Sequence, residues 1–514
     1  SRFRVASCTE ISVPQPPAQA RTIVVTRWLH FVYGHRGEHA MPALAARWLG
    51  ERPDLVHGDA FLACAVGDHA RAREAIAADR DWVNRGNELW RCIECHGLLG
   101  MPPLVAVTHS SFWRIAAFRD GLLTCARLLL DAGADPNQSW SADGEQAVSA
   151  LYGAAGKNHD PELTGLLLAA GANPNDGESL YHSLESANVA CARLLLEAGA
   201  KIEHTNAFHH SLDFDSPEAL RLLLSFGGNP NEPSDHLDAP LHHAIRRRRS
   251  RAHVEALLGA GADPLARTKD DVSAYKLAVT YGLTDVADLL RQSGAAEPLT
   301  DEEQFVAACA SGDRREALRI RSVRPDLPGA LSEGQLRQLP ELAAISACGD
   351  AVRLMVDLGW PIDVPGGIGW IVSALHHAVA RGDAALTQCL LEHGASWTAP
   401  NGFDDTVNGT LAFSSRNQLS HDRDMGGDWV GCARALVAHG MIPDWEGDYS
   451  DDVLAFFAAE RRKREGTAGD HAGADIAVDD EAVASALQQG HLAALRHLLG
   501  GHPGRNDLIR WWKD

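Results

Sequence analysis

No run in the 514-residue sequence reaches the ~18 apolar residues that a membrane-spanning helix needs, so no membrane partner is expected. The start of the chain also lacks the basic, apolar and small-residue order of a secretory leader, because the proline-rich PQPPAQA comes before the apolar TIVV. A cytoplasmic location is the expectation. Positive charge is scarce: 47 Lys and Arg stand against 68 Asp and Glu, a formal charge of -21. A field of that sign disfavours nucleic acid as a partner. The one basic run, Arg246 to Arg249, reads as the exposed end of a helix and the turn after it. Sequence motifs for common cofactors are missing too. There is no G-x-G-x-x-G after a strand, no Walker loop, no G-x-S-x-G and no H-E-x-x-H, and no cofactor is expected.

Cysteine spacing gives no disulfide framework, although 10 Cys are present. Cys125, Cys191 and Cys432 each precede Ala-Arg and an aliphatic run, which places them between packed helices as small hydrophobes. Cys92-Ile93-Glu94-Cys95-His96 matches the spacing of a haem attachment site. It stands alone, and with only His109 and Cys64 as further candidates it does not complete a tetrahedral metal shell, so no metal is expected there.

What the chain has in abundance is repetition. PLHHAIRRRRSRAHVEALLGAGADP, from Pro240 to Pro264, reads as two helices and a closing turn. The second half of that pattern returns in CARLLLDAGADPN ending at Asn137, LTGLLLAAGANPN at Asn175, CARLLLEAGA at Ala200, ALRLLLSFGGNPN at Asn231 and ALTQCLLEHGA at Ala395. Units of this length cannot bury an apolar face alone and must pack on their neighbours. The Gly133, Gly171, Gly199 and Gly261 series sits at helix ends, where a left-handed backbone costs least for Gly.

These residues resemble the ankyrin repeat. Its Thr-Pro-Leu-His start is matched at Pro240-Leu241-His242, at Leu375-His376 and more loosely at Leu104. Its Gly-Ala-Asp end is matched at Gly133-Ala134-Asp135, Gly171-Ala172-Asn173 and Gly261-Ala262-Asp263. The resemblance spans most of residues 57–501 and implies an all-α, ankyrin-repeat solenoid of roughly a dozen helix pairs with irregular insertions. On that basis residues 1–22 form an irregular leader, 23–56 an N-terminal helical cap and 57–297 a first array. Residues 298–363 are degenerate repeats or a bend, 364–501 a second array and 502–514 a tail. Residues 84–101, 112–121 and 399–428 interrupt the period, and the second of these is expected to lengthen a first helix. The resemblance further implies a monomeric scaffold that binds another protein through its concave face and hairpin tips. Trp140, Trp370 and Trp397, near hairpins, are the candidate anchors.

A second class of function rests on histidine. His242 and His376 take the family's consensus position, which the resemblance implies is structural. The next position carries His182, His210, His243 and His377. The first three belong to consecutive units and should form a ladder across three layers. Packed helices lie ~8–10 Å apart, too far for all three rings to share one metal ion. With Glu185, Asp213 or Asp215 nearby, the ladder would instead supply general acid and base groups for a cofactor-independent hydrolase, lyase or isomerase acting on a small molecule.

Overall fold

The computed structural model describes residues 17–468, apart from 35–39, 91–97, 142–146, 204, 233–236, 367–372, 403–404, 418–426 and 444–448. Among the described residues the structure is all-α. Strand pairing is confined to Ser139–Trp140 against Val148–Ser149 and one bridge between Arg267 and Ser273. No described helix is long and apolar enough to cross a membrane. The chain divides into two compact units, residues 1–338 with 350–360, and residues 339–349 with 361–514. The division falls within the stretch 298–363, where the sequence repeat is weakest.

The first unit opens with helices Pro17–Tyr33 and Pro42–Glu51. Helix therefore begins inside the stretch expected to be an irregular leader, and Pro17 suits the first helical position because its missing N–H has no partner there in any helix. Trp28 is fully buried and donates its indole N–H to Ala45 O at 3.0 Å, while Phe31 meets Trp48 edge to face.

Paired helices follow. The first members are Ala60–Val66, Pro103–His109, Ala150–Tyr152 continued by the wide turn Gly153–Lys157, Ser179–Ser183, Ala207–Ser211, Pro240–Arg246, Ala274–Thr280 and Asp301–Ala310. Each packs on its counterpart in the next pair. The second members, such as Pro161–Ala169, Pro217–Ser225 and Arg251–Gly259, are longer. Local sequence explains their starts. Asp160 and Ser216 accept the backbone N–H of Leu163 and Ala219, and Pro161 and Pro217 fill the first helical turn. Their leucines, including Leu167, Leu195, Leu220, Leu223 and Leu257, are fully buried between layers. Residues 116–121 belong to the second helix Ala116–Asp131 rather than to a lengthened first one. Gly121 on that helix lies against Gly67, whose φ is +75°, and a methyl group on Gly67 would come within 2.4 Å of Leu122 N.

In the second unit Ala374–Ala380 pairs with Ala384–Glu392, and Val407–Asn417 with Trp429–Ala438. Part of the stretch 399–428 is thus a helix of the stack. Gly382, at φ +68°, lets Gly427 approach in the same manner as the Gly67–Gly121 contact. Cys125, Cys191 and Cys432 are buried free thiols, with Thr164 Oγ1 donating to Cys191 Sγ at 3.6 Å.

An asparagine joins successive turns of the first unit. Asn84 donates to Gly133 O at 2.9 Å and accepts the Asp135 N–H at 2.8 Å. Asn137 does the same to Gly171 O (3.3 Å) and Asn173 N (2.7 Å). Asn175 takes Gly199 O (3.2 Å) and Lys201 N (2.8 Å). Asn231 takes Gly261 O (2.9 Å) and Asp263 N (2.8 Å). One side-chain amide satisfies both a carbonyl and an N–H left open where a helix ends. Glu203 and Leu265 stand at the corresponding places of the other two turns, and Leu265 is 66% exposed.

Candidate functional site

The first helices of three consecutive pairs, Ser179–Ser183, Ala207–Ser211 and Pro240–Arg246, place His182, His210 and His243 in register. The carboxylates do not sit beside them singly. They alternate with them. Glu178 Oε2 accepts from His182 Nε2 at 3.1 Å, and Glu185 Oε1 from His182 Nδ1 at 2.6 Å. The same Glu185 oxygen meets His210 Nε2 of the next layer at 3.4 Å. Asp213 accepts from His210 Nδ1 at 3.2 Å and from His243 Nε2, one layer further, at 3.3 Å. Arg247 closes the row with Nε at 2.9 Å from Asp213 Oδ1.

Both ring nitrogens of His182 and of His210 face carboxylate oxygens. A ring can donate twice only as imidazolium, so this geometry holds both in the charged form. The pKa of His182 is raised accordingly, by its bond to Glu185 against the opposing effect of burial. Burial works against the charge of His210, but bonds to Asp213 and Glu185 outweigh it and its pKa is also raised. Burial would raise Glu185, yet its bonds to His182 and His210 bring it down to about 2. Asp213 is likewise held well below the usual carboxylate range, where burial is overcome by His210, His243 and the charge of Arg247.

Aromatic rings back the row. Tyr181 stacks on His210 with centroids 3.6 Å apart and planes 10° from parallel, and Phe214 meets the same ring edge on at 5.1 Å. Tyr152 lies edge on to His182 at 5.1 Å. Close approach here depends on Gly156, where a methyl group would fall 2.8 Å from His182 Cβ. His210 and His243 are largely covered, at 9% and 7% side-chain exposure, whereas His182 keeps 28%.

No family model matches this sequence, and no curated protein does. Chemical assignment therefore rests on the side chains. The structure brings His182, His210, His243, Glu185 and Asp213 together as one row. Asp215 is elsewhere: it is exposed and faces His253 Nδ1 at 3.6 Å. Glu178, Arg247, Tyr152 and Tyr181 were missed in the sequence, although Glu178 precedes His182 by four residues and Arg247 follows His243 by four, one helical turn in each case. His377, at the matching place in the second unit, is held neutral instead, with burial the main cause and its pKa lowered to about 4. His242 and His376 are buried, and His376 Nδ1 accepts the backbone N–H of Ser373 at the start of its own helix.

The tryptophans separate. Trp140 is half-buried and donates to Leu99 O at 3.0 Å, which pins the connector 84–101 to the array. Trp90 in that connector is buried, with its indole N–H on Asp59 Oδ2 at 2.7 Å. Trp397 is half-buried in the turn after Ala384–Glu392. Trp370 and the Cys92–His96 motif lie outside the described residues. The basic run is the end of the helix Pro240–Arg246 and the turn after it, but only Arg247 is exposed, the other three being half-buried: Arg248 takes φ +54°, Arg246 binds Asp238, and Arg248 binds Tyr281 O.

Proposed function

We propose that the chain is an ankyrin-type solenoid that recognises another protein through its hairpin tips and concave first-helix face. The observation that carries this reading is the asparagine joint between successive turns. It ties each turn to the next through two hydrogen bonds, the kind of fixed spacing a preorganised recognition surface requires. Leu265, exposed at a joint position where asparagine would otherwise stand, is an apolar contact on that surface. The net charge of -21 favours a basic or mixed-charge segment as the partner. Acid–base catalysis on a small molecule is the weaker reading, since every ring nitrogen of His182 and His210 is already committed to a carboxylate.

A photo-crosslinking side chain at Leu265, introduced in the source cell, tests the proposal. Expected is a discrete adduct with one protein, weakened at least tenfold by Leu265→Asp on the purified pair. A protein that captures no macromolecule at this position yet turns over a metabolite would overturn it.

A further inference from the structure

Three successive second helices of the first unit hide their apolar side chains. Pro217–Ser225 packs on Arg251–Gly259, and that helix on Thr284–Gln292. None of the three leaves a large apolar side chain exposed. The next second helix, Arg314–Val323, differs. Asp313 starts it by accepting the Glu316 N–H at 3.0 Å, and it packs on Asp301–Ala310 of its own pair. Its buried residues are Ala317 and Ile320, whereas Leu318 is 47% and Val323 68% exposed.

The charge of this helix is equally out of keeping with the chain. Its sequence, RREALRIRSV, carries four arginines against one glutamate, where Thr284–Gln292 carries two aspartates against one arginine. Part of that charge is answered within the fold. Arg314 pairs with Asp357, and Arg319 takes both oxygens of Glu316 at 2.7 and 2.8 Å. Just past the helix, Arg324 is held by Glu302 at 2.7 Å, Asp326 at 2.8 Å and Asp301 at 3.7 Å. Arg315, exposed, and Arg321, half-buried, make no hydrogen bond or ion pair among the described residues. Positions three apart on a helix are neighbours, so Arg315, Leu318 and Arg321 follow one ridge. The exposed leucine stands midway between two unpaired cations, which are ~9 Å apart along the axis.

We propose that this ridge is a docking site for an acidic helical segment of another protein, one whose apolar side chain covers Leu318 between two carboxylates that reach Arg315 and Arg321. Arginine suits that role, because its planar fork takes a carboxylate through two parallel hydrogen bonds. Carboxylates six positions apart on the partner helix match the ~9 Å spacing and leave the midway position for the apolar residue. Charge complementarity chooses a narrow occupant. Asp301, Glu302, Glu316, Asp326 and Asp357 hold the flanking arginines. An anionic bilayer presents its charge over a wide plane and meets those carboxylates as well, whereas a single helix can follow the ridge between them. The site is separate from the tip at Leu265, and its partner is opposite in charge to the one proposed there.

Fluorescence anisotropy tests this with the full chain and a labelled synthetic helix that repeats Glu-x-x-Leu-x-x-Glu, with alanine between. Expected is saturable one-to-one binding, weakened at least tenfold in Arg315→Gln/Arg321→Gln and, independently, in Leu318→Asp. Binding should also weaken as salt rises from about 0.05 M to about 0.3 M. The variant Arg73→Gln/Arg193→Gln removes two exposed arginines that likewise form no ion pair among the described residues, and it should bind as the wild type does. Circular dichroism confirms that each variant is folded before it is compared. The site is overturned by no saturable binding of the acidic helix, or by an equal loss in Arg73→Gln/Arg193→Gln. Capture of vesicles of equimolar phosphatidylcholine and phosphatidylserine in preference to the helix would overturn it too.

Discussion

At the residue scale, the imidazole–carboxylate row makes stability depend on pH from both sides. Glu185 and Asp213 have lowered pKa values, so their contribution is complete above the ordinary carboxylate range near ~4 and is lost as pH falls. His182 and His210 have raised values, so theirs is complete below ~6.5 and is lost as pH rises through the raised values. The midpoint of urea unfolding of the first unit should therefore be highest near pH ~5–6 and decline in both directions. In the double variant His182→Gln/His210→Gln the alkaline decline should shrink. An alkaline limb identical in both proteins would show that the rings are not charged in the fold. Asp213 serves two layers and Arg247, so Asp213→Asn should cost about 1–2 kcal/mol, the order of a partly exposed charged hydrogen bond. No loss near neutral pH would leave the shared role of Asp213 without support.

At the scale of elements, the asparagine joint is open to addition as well as removal. Asn231→Ala removes two hydrogen bonds between exposed turns and should lower stability by about 1–2 kcal/mol. Glu203→Asn should create a joint to Gly227 O and the Asn229 N–H where none exists and raise the thermal midpoint, read by circular dichroism. No change in either variant would mean the joint orders the turns without stabilising them. The joint was half legible in the chain itself. Asn137, Asn175 and Asn231 end their motifs at a constant offset from a helix-terminal Gly, but only folded neighbours reveal that each amide reaches the next unit. Helix pairing was legible for a related reason: the Leu spacing of the second helices and the Asp or Ser before them are local signals. The breaks were harder. Residues 116–121 read as an addition to a first helix because nothing in FRDGL announces that Gly121 must meet Gly67. The row of rings was foreseen from His182, His210 and His243, whereas the sharing of each carboxylate by two layers needs the inter-layer distance, which no single unit encodes.

At the scale of the molecule, pairs that pack chiefly on their neighbours should lose protection locally. Hydrogen exchange of Leu195→Ala, which empties a fully buried position, should speed up in the pairs 150–169, 179–197 and 207–225 and leave Ala374–Ala438 at its wild-type rates. Uniform acceleration over both compact units would mean that they unfold as one. The ring–carboxylate row follows a rule with the same local character. In two successive units a carboxylate stands three residues after the ring, at Glu185 and Asp213, and serves its own ring and the one that follows. In the third unit that place is Arg246, and no acid is offered onward. A copy of residues 206–238 spliced in after Asp238 would therefore meet a ring on one side and offer a carboxylate on the other. The gene can lengthen or shorten this row by whole modules, and its terminators, Glu178 and Arg247, are already written at either end.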